Sequence, residues 1–243
     1  MSLFTDALAW LGDAAHWQGP GGVPNRTLQH LAITAGSVGA AVAVALPTGI
    51  LIGHTRRGAG LVGAVTGAAR AIPTLGLLTL FGLAYGIGLQ ASAAALVVLA
   101  IPSVLAGAYA GVQSVDAATV SAAKAVGMRP HQVILRVELP LASPVILGGV
   151  RAATLQVMAT ATLAAYIADF GLGRYLFAGL KSRDYPQMLA GALLVAALAL
   201  ILELAFAAAQ RGAARRLADP ARPAGPSDTD RARTRPAQKG PHQ

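Results

Sequence analysis

The chain has 243 residues, of which 55% are hydrophobic and only 12% charged. That is about half the charge density of a soluble domain, and the mean hydropathy is +0.58. With no Cys, no His-Glu-x-x-His and no Gly-Lys dipeptide, it offers no disulfide, no thiolate or zincin-type metal site and no phosphate-binding P-loop.

The net charge of +9 does not indicate a nucleic-acid partner. From Arg211 onward, eight Lys or Arg and three Asp contribute +5 of it, in a Pro/Ala/Arg-rich segment that cannot bury a core. Residues 212–243 are therefore expected to form a disordered basic tail.

In chain order, residues 1–27 carry Leu3, Phe4, Ala7, Leu8, Leu11 and Ala14 on one helical face with no basic leader before Arg26, which predicts an interfacial helix rather than a signal peptide. The apolar body is assigned to 28–211. Between His30 and His54 lie 23 residues without Asp, Glu, Lys or Arg, and Ala71–Val115 is a run of 45. A helix crosses a bilayer with about 20, and the backbone of so continuous a run is satisfied in lipid only as helix. The chain is thus expected to be an all-α, polytopic membrane protein.

Span one is placed at about Leu31–Gly53. Span two lies within about 60–87, either as one helix kinked at Pro73 or as an interfacial helix followed by a short span from Ile72. Spans three, four and five are placed at about 93–113, 141–168 and 186–210. Small residues recur as Gly49/Gly53, Gly63/Gly67, Gly82/Gly86 and Gly107/Gly111, which predicts close helix packing in general. In the connecting loops, thirteen Lys or Arg fall on one side and four on the other. The positive-inside rule then predicts an external N-terminus and a cytoplasmic C-terminus, with 114–140 on the cytoplasmic side.

That segment contains SAAKAVGMRPHQVILRVELP, positions 121–140. Gly127 is a helix stop and Pro130 a helix start, so two short helices are expected. Its Ala and Gly patch suits either docking of a partner backbone or an amphipathic loop on the membrane surface.

The spacing Ser121-Ala122-Ala123, three residues, Gly127, nine residues, Val137-Glu138-Leu139-Pro140 resembles the Glu-Ala-Ala…Gly…Ile-x-Leu-Pro loop of bacterial ABC importer permeases. Ser121 stands where Glu is usual and Val137 where Ile is usual. The stretches IPTLGLLTLFGL (72–83), 147–180 and 188–204 look like the osmoprotectant branch of that family, a resemblance that implies glycine betaine, choline, carnitine or proline as substrate.

The resemblance implies a type I importer transmembrane domain of about five spans in a bacterial inner or plasma membrane. It implies no chemistry in this chain, with ATP and Mg held by a cytoplasmic ATPase dimer. An extracytoplasmic binding protein and a second permease subunit, identical or sister, complete the expected assembly. ATPase coupling is carried over to Ser121, Ala122, Ala123, Gly127, Met128, Leu139 and Pro140. The alternative class is an ion-coupled carrier or channel for small cations, which requires an intramembrane acid or a filter-like loop.

Two further sets stand out. Gly171, Gly173, Arg174 and Tyr175, in FGLGRYLFAGL, form either an outer gate or a short anchored helix at the interface. Arg70, Arg151 and Glu203 lie within spans, where an ionised group is costly. Glu203 is expected to pair with Arg151 or Arg70, the alternative being that both Arg side chains snorkel to the headgroups.

Overall fold

The computed structural model describes residues 2–217, apart from the side chains of Arg70, Arg216 and Leu217. It is built of helices: α1 (Leu3–Gly12), a 3₁₀ turn at Ala14–Trp17, α2 (Val23–Thr55), α3 (Ala59–Ala71), α4 (Thr74–Tyr85), α5 (Leu89–Gln113), α6 (Ala117–Ala125), α7 (Pro130–Val133), a π-helical segment (Ile134–Glu138), α8 (Leu139–Ala164), α9 (Gly173–Ser182) and α10 (Tyr185–Leu217). Four helical stretches are long and apolar enough to cross a bilayer, or five if α3 and α4 count as one broken span. The expected tail begins at 212, but α10 continues to Leu217 and the remaining residues lie outside the described set.

Span two divides at Ile72–Pro73, and α3 and α4 meet at 88°. Pro73 disfavours helical geometry at the residue before it and supplies no N–H, so α3 stops at Ala71 and α4 restarts at Thr74.

The helix that carries span four has a lead-in ahead of the expected start at 141. Pro130 opens a continuous 35-residue stretch to Ala164 rather than a separate short helix. Pro140 has no N–H to donate back into the preceding turn. The ladder widens there instead, with Leu139 N–H bonding the Ile134 carbonyl five residues earlier.

The core is the contact of α2, α5 and α8, with α3 and α4 against α5 and α10 against α8. It is lined by small residues (Ala41, Ala45, Ala95, Ala100, Ala153 and Ala161) interleaved with Leu96, Val104 and Val157. Gly49 and Gly53 of α2 seat on Ala108 and Val112 of α5, and Gly107 of α5 seats on Gly149 of α8. A Cβ at Gly107 would lie 2.5 Å from the Gly149 Cα, and one at Gly49 would lie 2.8 Å from the Leu105 carbonyl oxygen. Apolar helices in lipid gain little from hiding from solvent, so this close approach is a main source of cohesion. Gly63 and Gly67 of α3 have nothing within 4 Å.

The expected interfacial helix α1 packs against α10, burying Ala7. Trp10 meets Tyr175 edge-on at 5.2 Å and stacks on His16 at 3.9 Å.

Gly107→Ala should destabilise the purified chain by about 1–3 kcal/mol, because the backbones must separate. Gly39→Ala, in the same kind of helix but with open space around it, should be neutral or stabilise by about 0.5–1 kcal/mol through helix entropy. Thermal unfolding in detergent reads both, and equal effects would show that the seam is not closely packed.

Candidate functional site

The segment 114–140 is held at both ends and open in the middle. Asp116 caps α6, its Oδ1 accepting from Ala118 N–H at 3.1 Å. At the other end of α6, Met128 N–H bonds the Ala123 carbonyl and Gly127 N–H bonds the Lys124 carbonyl, which closes a Schellman motif. The motif requires a left-handed residue, and Gly127 sits at φ +84°. Arg129 N–H donates to Gln132 Oε1 at 2.8 Å and fixes the start of α7.

Of the predicted residues, Ala123 is buried, while Ser121, Ala122, Gly127 and Pro140 are exposed and Met128 and Leu139 half-buried. Beside them Val126 is 79% and Leu135 61% exposed, so an apolar face with small residues stands out from the bundle. Lys124, Arg129 and Arg136 surround it with positive charge.

This segment is tied to the core by a contact that sequence reasoning missed. Glu138, 3% exposed, accepts a hydrogen bond at 2.7 Å from Nδ1 of His54, in the last turn of α2. Gln113 Nε2 donates to the Gly53 carbonyl at 3.1 Å, bringing the end of α5 to the same place. Glu138 is the sole acid between Asp116 and Asp169, the one available signal that it needed a partner.

Within the spans, Arg151 of α8 grips Glu203 of α10 with both ends of its guanidinium: Nε donates to Oε2 at 2.8 Å, and Nη2 to Oε1. Its Nη1 donates to Gln210 Oε1 at 2.6 Å, and Gln210 Nε2 donates to the Pro144 carbonyl at 3.1 Å. The sequence pattern did not bring Gln210 into this network. Arg70 lies in α3, and its side chain is outside the described residues.

At the opposite end of the bundle, Gly171 lies against α2 and Gly173 against α8, Tyr175 packs with Val23 and Trp10, and Arg174 is exposed. Gly171, at φ +74°, lies against His30, where a Cβ would come within 2.9 Å of Nδ1. Gly173 lies against Thr162, where a Cβ would fall 2.2 Å from the carbonyl oxygen. The Tyr175 hydroxyl donates to the Gly21 carbonyl at 2.6 Å. Burial pushes the Tyr175 phenol up, and the Arg26 charge opposes that. Arg174 pairs with Asp169 at 3.2 Å, and Arg26 reaches the same carboxylate at 3.0 Å.

His30, also missed, sits between these parts. Its Nε2–H donates to the Met158 carbonyl at 3.0 Å and its Nδ1 accepts from Leu172 N–H at 3.3 Å, which sets one neutral tautomer.

A family described as "Binding-protein-dependent transport system inner membrane component" matches residues 45–218. The chain belongs to this family of multi-pass transport permeases. It is similar to the choline transport system permease protein OpuBB of Bacillus subtilis (strain 168), at 32% identity over 186 residues, covering 76% of this chain and 86% of that protein. It is similar to the carnitine transport permease protein OpuCB of Listeria monocytogenes at 35% over 181 residues, covering 74% and 83% respectively. Among solved structures, the inward-facing MetNI methionine ABC transporter superposes with a TM-score of 0.67 at 25% identity, over 76% of this chain and 93% of that one.

In a double-mutant cycle, Glu203→Gln and Arg151→Met should each lower thermal stability, and the double variant should recover part of the loss. Both side chains are about 30% accessible on the chain surface, so the coupling should be about 1 kcal/mol rather than the full value of a buried pair. Strictly additive losses would show that the contact carries no energy.

Proposed function

We propose that this chain is the permease subunit of an ATP-driven importer for osmoprotectants, quaternary amines such as glycine betaine, choline or carnitine. The observation that carries the reading is the likeness, over three quarters of the chain, to choline and carnitine permeases. The exposed Ala122, Ala125, Val126 and Gly127 face supports it from the geometry. An Ala/Gly surface lets another backbone approach closely, and the His54–Glu138 contact roots that surface in α2.

In this reading the loop is cytoplasmic and the N-terminus external, as the thirteen-to-four distribution of Lys and Arg favours. Ser121, Ala122, Ala123, Gly127, Met128, Leu139 and Pro140 form or support the seat for an ATPase dimer. That dimer binds ATP and Mg; this chain catalyses nothing. A binding protein delivers solute at the end carrying Tyr175 and Arg174, whose segment 170–180 then serves as outer gate or contact. A second permease completes the path.

The ion-coupled alternative is disfavoured by one contact. A carrier of that kind needs a titratable acid free to bind a proton or cation. Glu203, the acid deepest in a span, is occupied by Arg151.

Labelled betaine, carnitine and choline uptake in cells with and without this chain, supplied with its ATPase and binding protein, tests the reading. Uptake should require all three components and ATP. Accumulation driven by an ion gradient without ATP would overturn it. Gly127→Val places a β-branched residue at a left-handed position and should lower uptake about tenfold or more through backbone strain at the loop. The protein should still insert. Normal uptake with normal ATPase retention would exclude 121–140 as the coupling element.

A further inference from the structure

A polar cavity of about 160 Å³ lies where α3, α5 and α8 meet, lined by Thr66, Pro102, Ser103 and Gln156 among Ala and Leu side chains. Its depth is unusual for an amide. Ser103 is 14 residues from the start of α5 at Leu89 and 10 from its end at Gln113, so about 21 Å and 15 Å from the two ends at 1.5 Å per residue. Gln156 touches it from α8, so both sit near mid-membrane. Gln156 is nevertheless exposed on the chain surface. A primary amide facing hydrocarbon is costly and calls for water, a polar solute or a protein partner.

The donors and acceptors decide what fits. The Ser103 hydroxyl donates to Gln156 Oε1 at 2.9 Å, which turns Nε2 outward. Thr66 Oγ1 spends its proton on the Val62 carbonyl at 2.8 Å. The amide N–H groups of Gln156 are therefore the donors offered to the cavity, and they find no acceptor among the described residues. Among the described residues its lining contains no acid and no aromatic ring, the groups that hold a quaternary ammonium.

Building on the importer reading above, we infer that Gln156, oriented by Ser103, is a transient site for the carboxylate of a zwitterionic solute in passage. A carboxylate oxygen accepts from Nε2–H, a charge-assisted bond. The methylated ammonium, needing no hydrogen bond, lies against the Ala and Leu wall. Choline, which has a hydroxyl in place of the carboxylate, gains less there. The site discriminates among the quaternary amines a binding protein delivers.

The test is uptake of glycine betaine, carnitine and choline by the complete importer carrying Gln156→Leu or Gln156→Glu, with co-purification of the ATPase and second permease as the check on assembly. Gln156→Leu should lower uptake of the two carboxylate-bearing solutes about tenfold, as loss of a hydrogen bond to a charged group would, and choline less than about threefold. Gln156→Glu, the isostere, should lower them further through repulsion, and should not lower choline. A packing role predicts the reverse order, with Glu milder than Leu, and that order would overturn the inference. So would an equal loss for all three solutes, unchanged uptake, wild-type transport of choline alone, or loss of the second permease from the Leu variant, which would make the amide an interface contact. A wild-type importer that carries none of the three would overturn the osmoprotectant reading itself and this site with it. One that carries betaine or carnitine leaves that reading standing, so that the variants judge Gln156 alone.

Discussion

Lipid tails are as apolar as leucine, so two hydrophobic helices in a bilayer have little reason to prefer each other unless their backbones come close enough for dispersion to favour it. In this chain that closeness is concentrated on one seam. Gly49 and Gly53 admit α5 to α2, and Gly107 and Gly149 admit α5 to α8 at near backbone contact. The remaining geometry is referred to this three-helix unit. The Ser103–Gln156 hydrogen bond lies one turn from Gly107 on α5 and two turns from Gly149 on α8, so the glycine contact sets the distance across which the two side chains meet.

Polar contacts fasten the ends of the same unit. At one end His30 bridges α2 to the Met158 carbonyl of α8 and to Leu172 before α9. At the other, His54 holds Glu138, and Gln113 reaches Gly53. A carboxylate as buried as Glu138 is tolerable only with a hydrogen-bonding partner, because its desolvation is otherwise uncompensated. The consequence is mechanical. The π-helical segment is the continuation of α7 and the beginning of α8, so displacement of the exposed loop is shared with α2 through His54 as well as with α8 through the chain.

Much of this was legible from residue order alone. Charge-free runs located the apolar helices, since the backbone of a 45-residue apolar run is satisfied in lipid only as helix. Pro73 marked the break in span two and Gly127 the end of α6, because both act through backbone geometry that depends on no distant residue. The continuity of the 130–138 lead-in with α8 was not read, because Pro140 looked like a helix boundary. Proline near the beginning of a long helix can instead widen one turn, and no local pattern distinguishes the two outcomes. The packing of α1 on α10 was hidden for a different reason: an amphipathic face does not say whether lipid or protein covers it. His30 was missed because its partners lie 128 and 142 positions away, and His54 and Glu138 because they lie 84 positions apart. Arg151 and Glu203 drew attention because charge inside a span is anomalous in itself, whereas a histidine or glutamine there is unremarkable until its neighbours are known.

Helix α8 and its lead-in carry three polar commitments in different directions. Glu138 turns to α2, Arg151 to α10 and Gln156 to the cavity. The step of five positions from Arg151 to Gln156 rotates the second about 140° from the first at 3.6 residues per turn, so the ion pair and the amide do not compete for one face. Two walls of the cavity, α5 and α8, are joined by the glycine seam and cannot part without losing it. The third wall, α3, contributes Thr66 and Ala69, and its Gly60, Gly63 and Gly67 have nothing within 4 Å. It also ends at the 88° break before α4. The width of the cavity is thus set by the position of α3 against a fixed pair, and Gln156 belongs to the fixed side.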